Sequence, residues 1–271
     1  MSDRHITAPC VSRTIHGPVA VLTMDRPDTG NVLDAEMLGD LLRHTTALAD
    51  DPAVRAVVLT GTGKAFSLGG DLADFERALS GQVGDPGAYS RPLTEALGTL
   101  VRTLREMRAC VIAAVNGQAA GAGFALALAC DMRIASERAV LHFAYGALGA
   151  STDGGMSWFL PRVVGPARAL ALLLEQPIMR APRALREGLV DEVVPATDLL
   201  DRALRTAGHL AASAPHAVAA AKRLVDASHR NTLDEHLTME HDLFADGLRT
   251  RDMRRGLAAH RQGDVPAFEG D

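Results

Sequence analysis

The stretch "NGQAAGAGFALALACD", residues 116–131, limits the fold more than any other part of the chain. It carries the apolar run "ACVIAAV" through a glycine-rich turn and straight into an apolar helical pattern. Strand, turn and helix are therefore neighbours in one core. Glycine at 121 and 123 lets other groups approach the main chain closely. The free N–H groups that open a helix, together with its dipole, favour negative charge. Three uses fit such a turn: a phosphate cradle, an oxyanion hole, or a tight corner of helix on strand. A nucleotide fingerprint requires a third glycine or a following lysine. Here Phe124, Ala125 and Leu126 follow Gly123 instead, so phosphate binding is set aside.

The same strand-and-helix grammar runs on either side. "PVAVLTM" reads as a strand closed by the turn "DRPDTGN", and "LDAEMLGDLLRHTTALADD" has Leu33, Met37, Leu41, Leu42 and Leu48 at helical spacing. "VRAVVLTG", "MRIAS" and "GLVDEVVP" read as further strands. Strands alternating with helices predict an α/β fold. From 198 to 260 the chain is rich in alanine and leucine without strand signals, so a helical C-terminal portion is expected. Residues 79–92, "LSGQVGDPGAYSRP", hold enough Gly, Pro and Ser to predict a mobile surface loop.

Composition narrows the function classes. A net charge of −5 argues against nucleic acid, which needs a basic face. Lys64 and Lys222 are the only lysines and arginine supplies the other basic residues, read as base-composition bias. The start "MSDRHITAPC" lacks a signal-peptide core, and no apolar run reaches membrane-spanning length. Cys10, Cys110 and Cys130 are odd in number and far apart, as expected of reduced thiols in a cytoplasmic protein. "DEHLTMEHD" brings His236, Glu240 and His241 close along one helix, but the spacing suits a solvated face better than a metal site.

Four stretches in order, "MDRPDTGNVL", "FSLGGDLADF", "VIAAVNGQAAGAGFALALACDMRIASERA" and "DGGMSWFLPRVVG", resemble the crotonase (enoyl-CoA hydratase/isomerase) superfamily. The resemblance reaches "GLVDEVVP" and continues more weakly through "SAPHAVAAAKRLV". It implies a crotonase-like spiral of β-β-α turns over residues 1–197, holding the CoA-binding and active sites. Residues 198–271 would form a helical C-terminal trimerisation region, in a homotrimer or a dimer of trimers. It also implies a coenzyme A thioester as substrate, with no further cofactor and no metal. In that family two main-chain N–H groups polarise the thioester carbonyl; here they fall on Gly70 and Ala122, with Ala122 standing where glycine is common. The glycine turn thus reads as an oxyanion hole.

Departures from the family direct the chemistry. Hydratases of the family use two glutamates, and the matching positions here are Ala125 and Tyr145. Asp153 lies where several branches carry a working aspartate, among them 3-enoyl-CoA to 2-enoyl-CoA isomerases. One carboxylate suffices for isomerisation, because it can take a proton from one carbon and return it two carbons along. Asp153 also suits an ordinary helix N-cap before "MSWFL". Tyr145 is open between packing and hydrogen-bond donation, and His142 between a structural role and a partner for Asp153. Phe143 and Trp158 are candidate members of the apolar wall. For the substrate and its coenzyme, the resemblance points to Arg26, to the chain around Ala65, Ser67 and Leu68, and to Asp71 and Gly121. His260 and Arg261 stand near the family's C-terminal lysine. Rival readings are a carbon–carbon bond-forming, cleaving or decarboxylating enzyme using Tyr145, a hydratase using Asp153 alone, and a non-catalytic acyl-CoA binder.

Overall fold

Two strands followed by a helix is the motif that repeats. The computed structural model describes residues 9–82 and 84–271, so most of the opening "MSDRHITAPC" lies outside the described residues. An antiparallel hairpin of β1 (Val11–His16) and β2 (Val19–Met24) leads into α1 (Ala35–Ala49). Next come β3 (Ala56–Gly61), β4 (Ala65–Ser67), α2 (Leu72–Leu79) and α3 (Pro86–Glu106). A second turn is β5 (Cys110–Val115), β6 (Gln118–Ala120) and α4 (Ala122–Ala129). A third is β7 (Met132–Ser136), β8 (Val140–His142), α5 (Met156–Val164) and α6 (Pro166–Glu175). Then follow β9 (Met179–Arg180), α7 (Ala181–Arg186) and β10 (Glu192–Val194). In the pairs β3/β4, β5/β6 and β7/β8 the first strand enters a larger sheet ordered β1-β2-β3-β5-β7-β10, and the second enters a smaller sheet ordered β4-β6-β8-β9. Successive turns therefore stack sideways as a spiral.

Burial explains the strands that the sequence made legible. On β3, Val57 and Leu59 face the main core while Ala56 and Val58 face a second one. A strand covered on both faces reads as a continuous apolar run. The second face is closed by α8 (Leu199–Ala211), whose Ala203, Ala207 and Ala211 repeat every four residues and let the helix lie close. Helices α9 (Pro215–Ala227), α10 (Leu233–Arg249) and α11 (Arg251–Gln262) complete the chain.

Residues 79–92 depart from the expected loop. Leu79 ends α2 and Pro86 begins α3, leaving a short connection. Proline costs little in a first helical turn, where its missing N–H would have no partner, and Asp85 caps the helix by accepting the Ala88 N–H at 2.7 Å.

A buried ion cluster ties α9 to the core. Lys222 Nζ lies 2.8 Å from Asp131 Oδ2 and donates to the carbonyls of Ala109 (2.9 Å) and Leu104 (3.3 Å). Arg105 bridges Asp131 (3.0 Å) and Asp226 (2.5 Å). The Lys222 side chain is 9% exposed. Removing one partner of a buried pair strands the others, at a cost of about 3–5 kcal/mol. Lys222→Met is expected to lower unfolding free energy by about that amount in urea titration, and an unchanged midpoint would refute the cluster's weight.

Candidate active site

Two main-chain turns press against each other to make the site. The first follows β4, where Gly69 has φ +85°, a left-handed conformation that glycine adopts without penalty. A β-carbon on Gly69 would come within 2.7 Å of the Ala120 carbonyl oxygen and 3.1 Å of the Ala122 nitrogen. The second turn opens α4 at Gly121, with φ +48° and ψ −121°. A β-carbon on Gly123 would meet the Ser67 carbonyl oxygen at 2.3 Å and its Oγ at 2.7 Å. That approach is to backbone, which cannot swing away. Gly123→Ala is therefore expected to destabilise the protein by about 1–3 kcal/mol, the usual range for overpacking, read as a lower denaturation midpoint.

Ala122 is the first residue of α4, so its N–H has no acceptor within the helix. All eight residues of α4 are buried, which keeps the positive end of the helix dipole away from water. Gly70 and Ala122 line one cleft with Asp153. Its apolar wall is Leu33, Leu38, Phe75, Leu93 and Leu97. Phe75 fills the space beside Gly70 that a β-carbon would need, at 2.7 Å.

Asp153 does not cap α5. Gly155 holds the N-cap position without a side-chain bond, and the Asp153 contribution there is its main-chain carbonyl, accepting from Met156 N–H at 3.0 Å. Its carboxylate instead accepts the Tyr145 hydroxyl at 2.8 Å on Oδ1. Burial, the largest influence, raises the Asp153 carboxyl above the ordinary aspartate range, and the Tyr145 hydrogen bond works against that rise. Burial also pushes the Tyr145 phenol upward, with the Asp153 charge adding to it, so Tyr145 is a neutral donor near pH 7. Ala125, on α4, supplies no carboxylate; a β-carbon on Gly154 would reach its Cβ at 3.0 Å.

The other predicted residues are spread more widely. Phe143 is buried edge-on against Phe124, with ring centroids 5.6 Å apart, and Trp158 lies under the Arg162 guanidinium at 3.5 Å. Neither is among the residues lining the cleft: Phe143 follows β8 into the main core, and Trp158 is on the half-exposed side of α5. Asp71 does line it, with Oδ1 capping α2 through the Ala73 N–H at 2.9 Å. Arg26 is held by Asp34 at 2.5 Å and by Glu36, so its charge is locally balanced. The Ala65 carbonyl accepts from Asn31 (2.9 Å) and Asn116 (3.1 Å), Ser67 Oγ accepts the Gly69 N–H (3.2 Å), and the Leu68 side chain is exposed. His142 gives its carbonyl to the Gly121 N–H at 3.1 Å, and burial lowers its ring below the ordinary histidine range. His260 and Arg261 end α11, and no group of three metal-ligating side chains occurs among the described residues. Cys10, Cys110 and Cys130 are buried and free, with burial raising Cys110 and Cys130 to about 12.

Sequence reasoning missed the cleft wall on α2 and α3: Phe75, Ser90, Leu93, Thr94 and Leu97. The signal was the helical spacing of Leu93, Leu97, Leu100 and Leu104, which begins directly after the stretch read as a loop.

A stack of β-β-α turns carrying two opposed main-chain turns defines a crotonase-fold protein. The family model for enoyl-CoA hydratase/isomerase matches residues 14–271. The 1,2-epoxyphenylacetyl-CoA isomerase of Escherichia coli K12 is 35% identical over 252 residues, covering 93% of this chain and 95% of that one. A probable enoyl-CoA hydratase of Rhodobacter capsulatus is 38% identical over 255 residues, with 93% and 95% coverage. The crystal structure of an enoyl-CoA hydratase from Bacillus anthracis superposes with a TM-score of 0.90 at 31% identity, covering 97% of this chain and all of that one. The chain belongs to the enoyl-CoA hydratase/isomerase family and is an acyl-CoA enzyme of that family. No described helix is long and apolar enough to cross a membrane.

Proposed function

We propose that the protein converts a 3-enoyl-CoA to its conjugated 2-enoyl isomer through a dienolate. The observation that carries this reading is one buried carboxylate, Asp153, on the same cleft as Gly70 and Ala122, with Ala125 where a second acid would stand. The Gly70 and Ala122 N–H groups polarise the thioester carbonyl and stabilise the enolate oxygen as charge develops. Asp153 takes the proton from the α-carbon and returns it to the γ-carbon, two carbons along, so the enzyme ends in its starting protonation state. A carboxyl raised by burial suits this shuttle, because a stronger base at neutral pH is also a ready donor.

Hydration requires water to be activated and the α-carbon to be protonated, a two-group task that Asp153 alone serves poorly. The coenzyme would lie along residues 65–68, past Leu68 and Arg26, and no further cofactor enters the scheme. Trimers, or pairs of trimers, are the proposed assembly. They rest on exposed apolar side chains on α10 and α11, such as Phe244 at 67% and Leu257 at 45% exposure. The test is direct: the protein is given a 3-enoyl-CoA and the conjugated thioester is followed by its ultraviolet absorbance and by proton NMR. Accumulation of the 2-enoyl isomer supports the reading. A 3-hydroxyacyl product from a 2-enoyl-CoA would establish hydration instead, and tight binding with no α-proton exchange would leave a non-catalytic binder.

A further inference from the structure

We infer that Tyr145 is a positioning residue for Asp153: its hydroxyl anchors one carboxylate oxygen and leaves the other as the oxygen that moves protons. The inference rests on the isomerase reading for its chemistry, and on geometry for the contact itself. Tyr145 Oη donates to Asp153 Oδ1 at 2.8 Å, within ordinary O–H···O range. Asp153 lines the cleft; Tyr145 is not among the lining residues and packs against the main core. The contact that the geometry shows for the phenol is with the carboxylate.

The local backbone is built to aim the ring. Ala144 has φ +63°, uncommon for a residue with a β-carbon. The Tyr145 N–H bonds back to the Phe143 carbonyl at 2.9 Å, closing a three-residue turn around Ala144. The Tyr145 ring lies over Gly121, where a β-carbon would sit 3.9 Å from Cζ. The side chain is thus fixed between the α4 turn and the Asp153 loop, and it holds the carboxylate at a set distance from Ala122.

The remaining charged groups around the cleft are committed elsewhere. Asp34 pairs with Arg26 at 2.5 Å, Asp71 caps α2, and Asp74 pairs with Arg77 and accepts the Tyr89 hydroxyl at 3.0 Å. On α3, Arg105 is taken up by Asp131 and Asp226, while Ser90, Leu93, Thr94 and Leu97 face the cleft; α4 offers Ala125 beside Gly154. The Tyr145 hydroxyl is the side-chain hydrogen bond that favours the ionised form of Asp153.

Loss of that hydroxyl leaves the burial and removes the compensation, so the carboxylate becomes harder to ionise. In Tyr145→Phe the acidic limb of kcat/KM for 3-enoyl-CoA is expected to move up by about one to two pH units, as the strength of a charge-assisted hydrogen bond implies. kcat above that limb is expected to fall about tenfold to a hundredfold from lost alignment, with KM within threefold. The Asp153 carboxyl carbon, assigned by its absence in Asp153→Asn and titrated by 13C NMR in labelled protein, is expected to shift in the same direction. Should Tyr145→Phe not fold, Tyr89→Phe protein carrying 3-fluorotyrosine at its remaining tyrosine keeps the shape and makes the phenol a stronger donor. The Asp153 titration then moves down. Unchanged titration and an unmoved limb overturn the inference. So does loss of turnover by several orders of magnitude with the Asp153 titration in place, which would make Tyr145 itself the proton donor. If the parent isomerises no 3-enoyl-CoA, the functional reading fails, while the NMR titration still decides the role of Tyr145.

Discussion

Asp153→Asn is expected to lower kcat for 3-enoyl-CoA isomerisation by about 10²–10⁴, the usual worth of a positioned acid–base group. KM for the thioester is expected to stay within about threefold. Asparagine keeps the size of the side chain and still accepts the Tyr145 hydroxyl through its amide oxygen, so the loop from Ala144 to Gly155 is retained. What it loses is the ability to take a proton. The parent enzyme should also lose activity on the acid side at a pH above the ordinary aspartate range. Its working form is the carboxylate, and burial makes that form harder to reach. Below the raised pKa the base is protonated and the rate falls tenfold per unit. Progress curves from pH 4 to 9 for parent and variant measure both effects. A variant that matches the parent removes Asp153 from the mechanism.

Ala122→Pro is expected to reduce kcat by about 10²–10³ with little change in fold, because it replaces one hydrogen-bond donor by the ring Cδ, at the place the oxyanion would occupy, and leaves the helix start intact. Ala122 is the first residue of α4, where proline is well accommodated and the missing N–H takes no intrahelical bond away. The preceding Gly121 has no β-carbon to collide with the proline ring. If the Ala122 N–H stabilises the enolate oxygen, the variant binds acyl-CoA more weakly and turns it over far more slowly, while its circular dichroism and unfolding midpoint stay near those of the parent. Full activity in a folded Ala122→Pro protein would show that this N–H carries no charge in the transition state.

The sequence determined the frame. "AVVLTG" and "ACVIAAV" were legible as strands because each is buried on two faces and carries a continuous apolar run. The glycine turn was legible because Gly121 and Gly123 stand where a β-carbon is excluded by conformation or by neighbouring backbone, a constraint written into residue identity. Family resemblance then marked Gly70, Ala122 and Asp153, and the cleft does bring these three together. The strands β4, β6 and β8 left no comparable trace: each is three residues long, too short for a period to show. The start of helix α3 was masked by proline and glycine whose meaning depends on position, since a proline such as Pro86 stops a helix when it falls inside one and starts it at the first turn.

Tertiary structure alone decided the alternatives around the carboxylate. The motif "DGG" fits a helix cap and a catalytic loop equally well, and the choice rests on which partner the side chain finds. That partner is Tyr145, eight residues earlier, reached through a left-handed Ala144 that no propensity predicts. Phe143 and Trp158, adjacent in sequence to the site, turn away from it, whereas Phe75 on α2 and Leu97 on α3 form its wall. Residue type and spacing record what the backbone permits and which faces are apolar. The meeting of side chains from separate turns of the spiral depends on how those turns stack, and that is a property of the packed core.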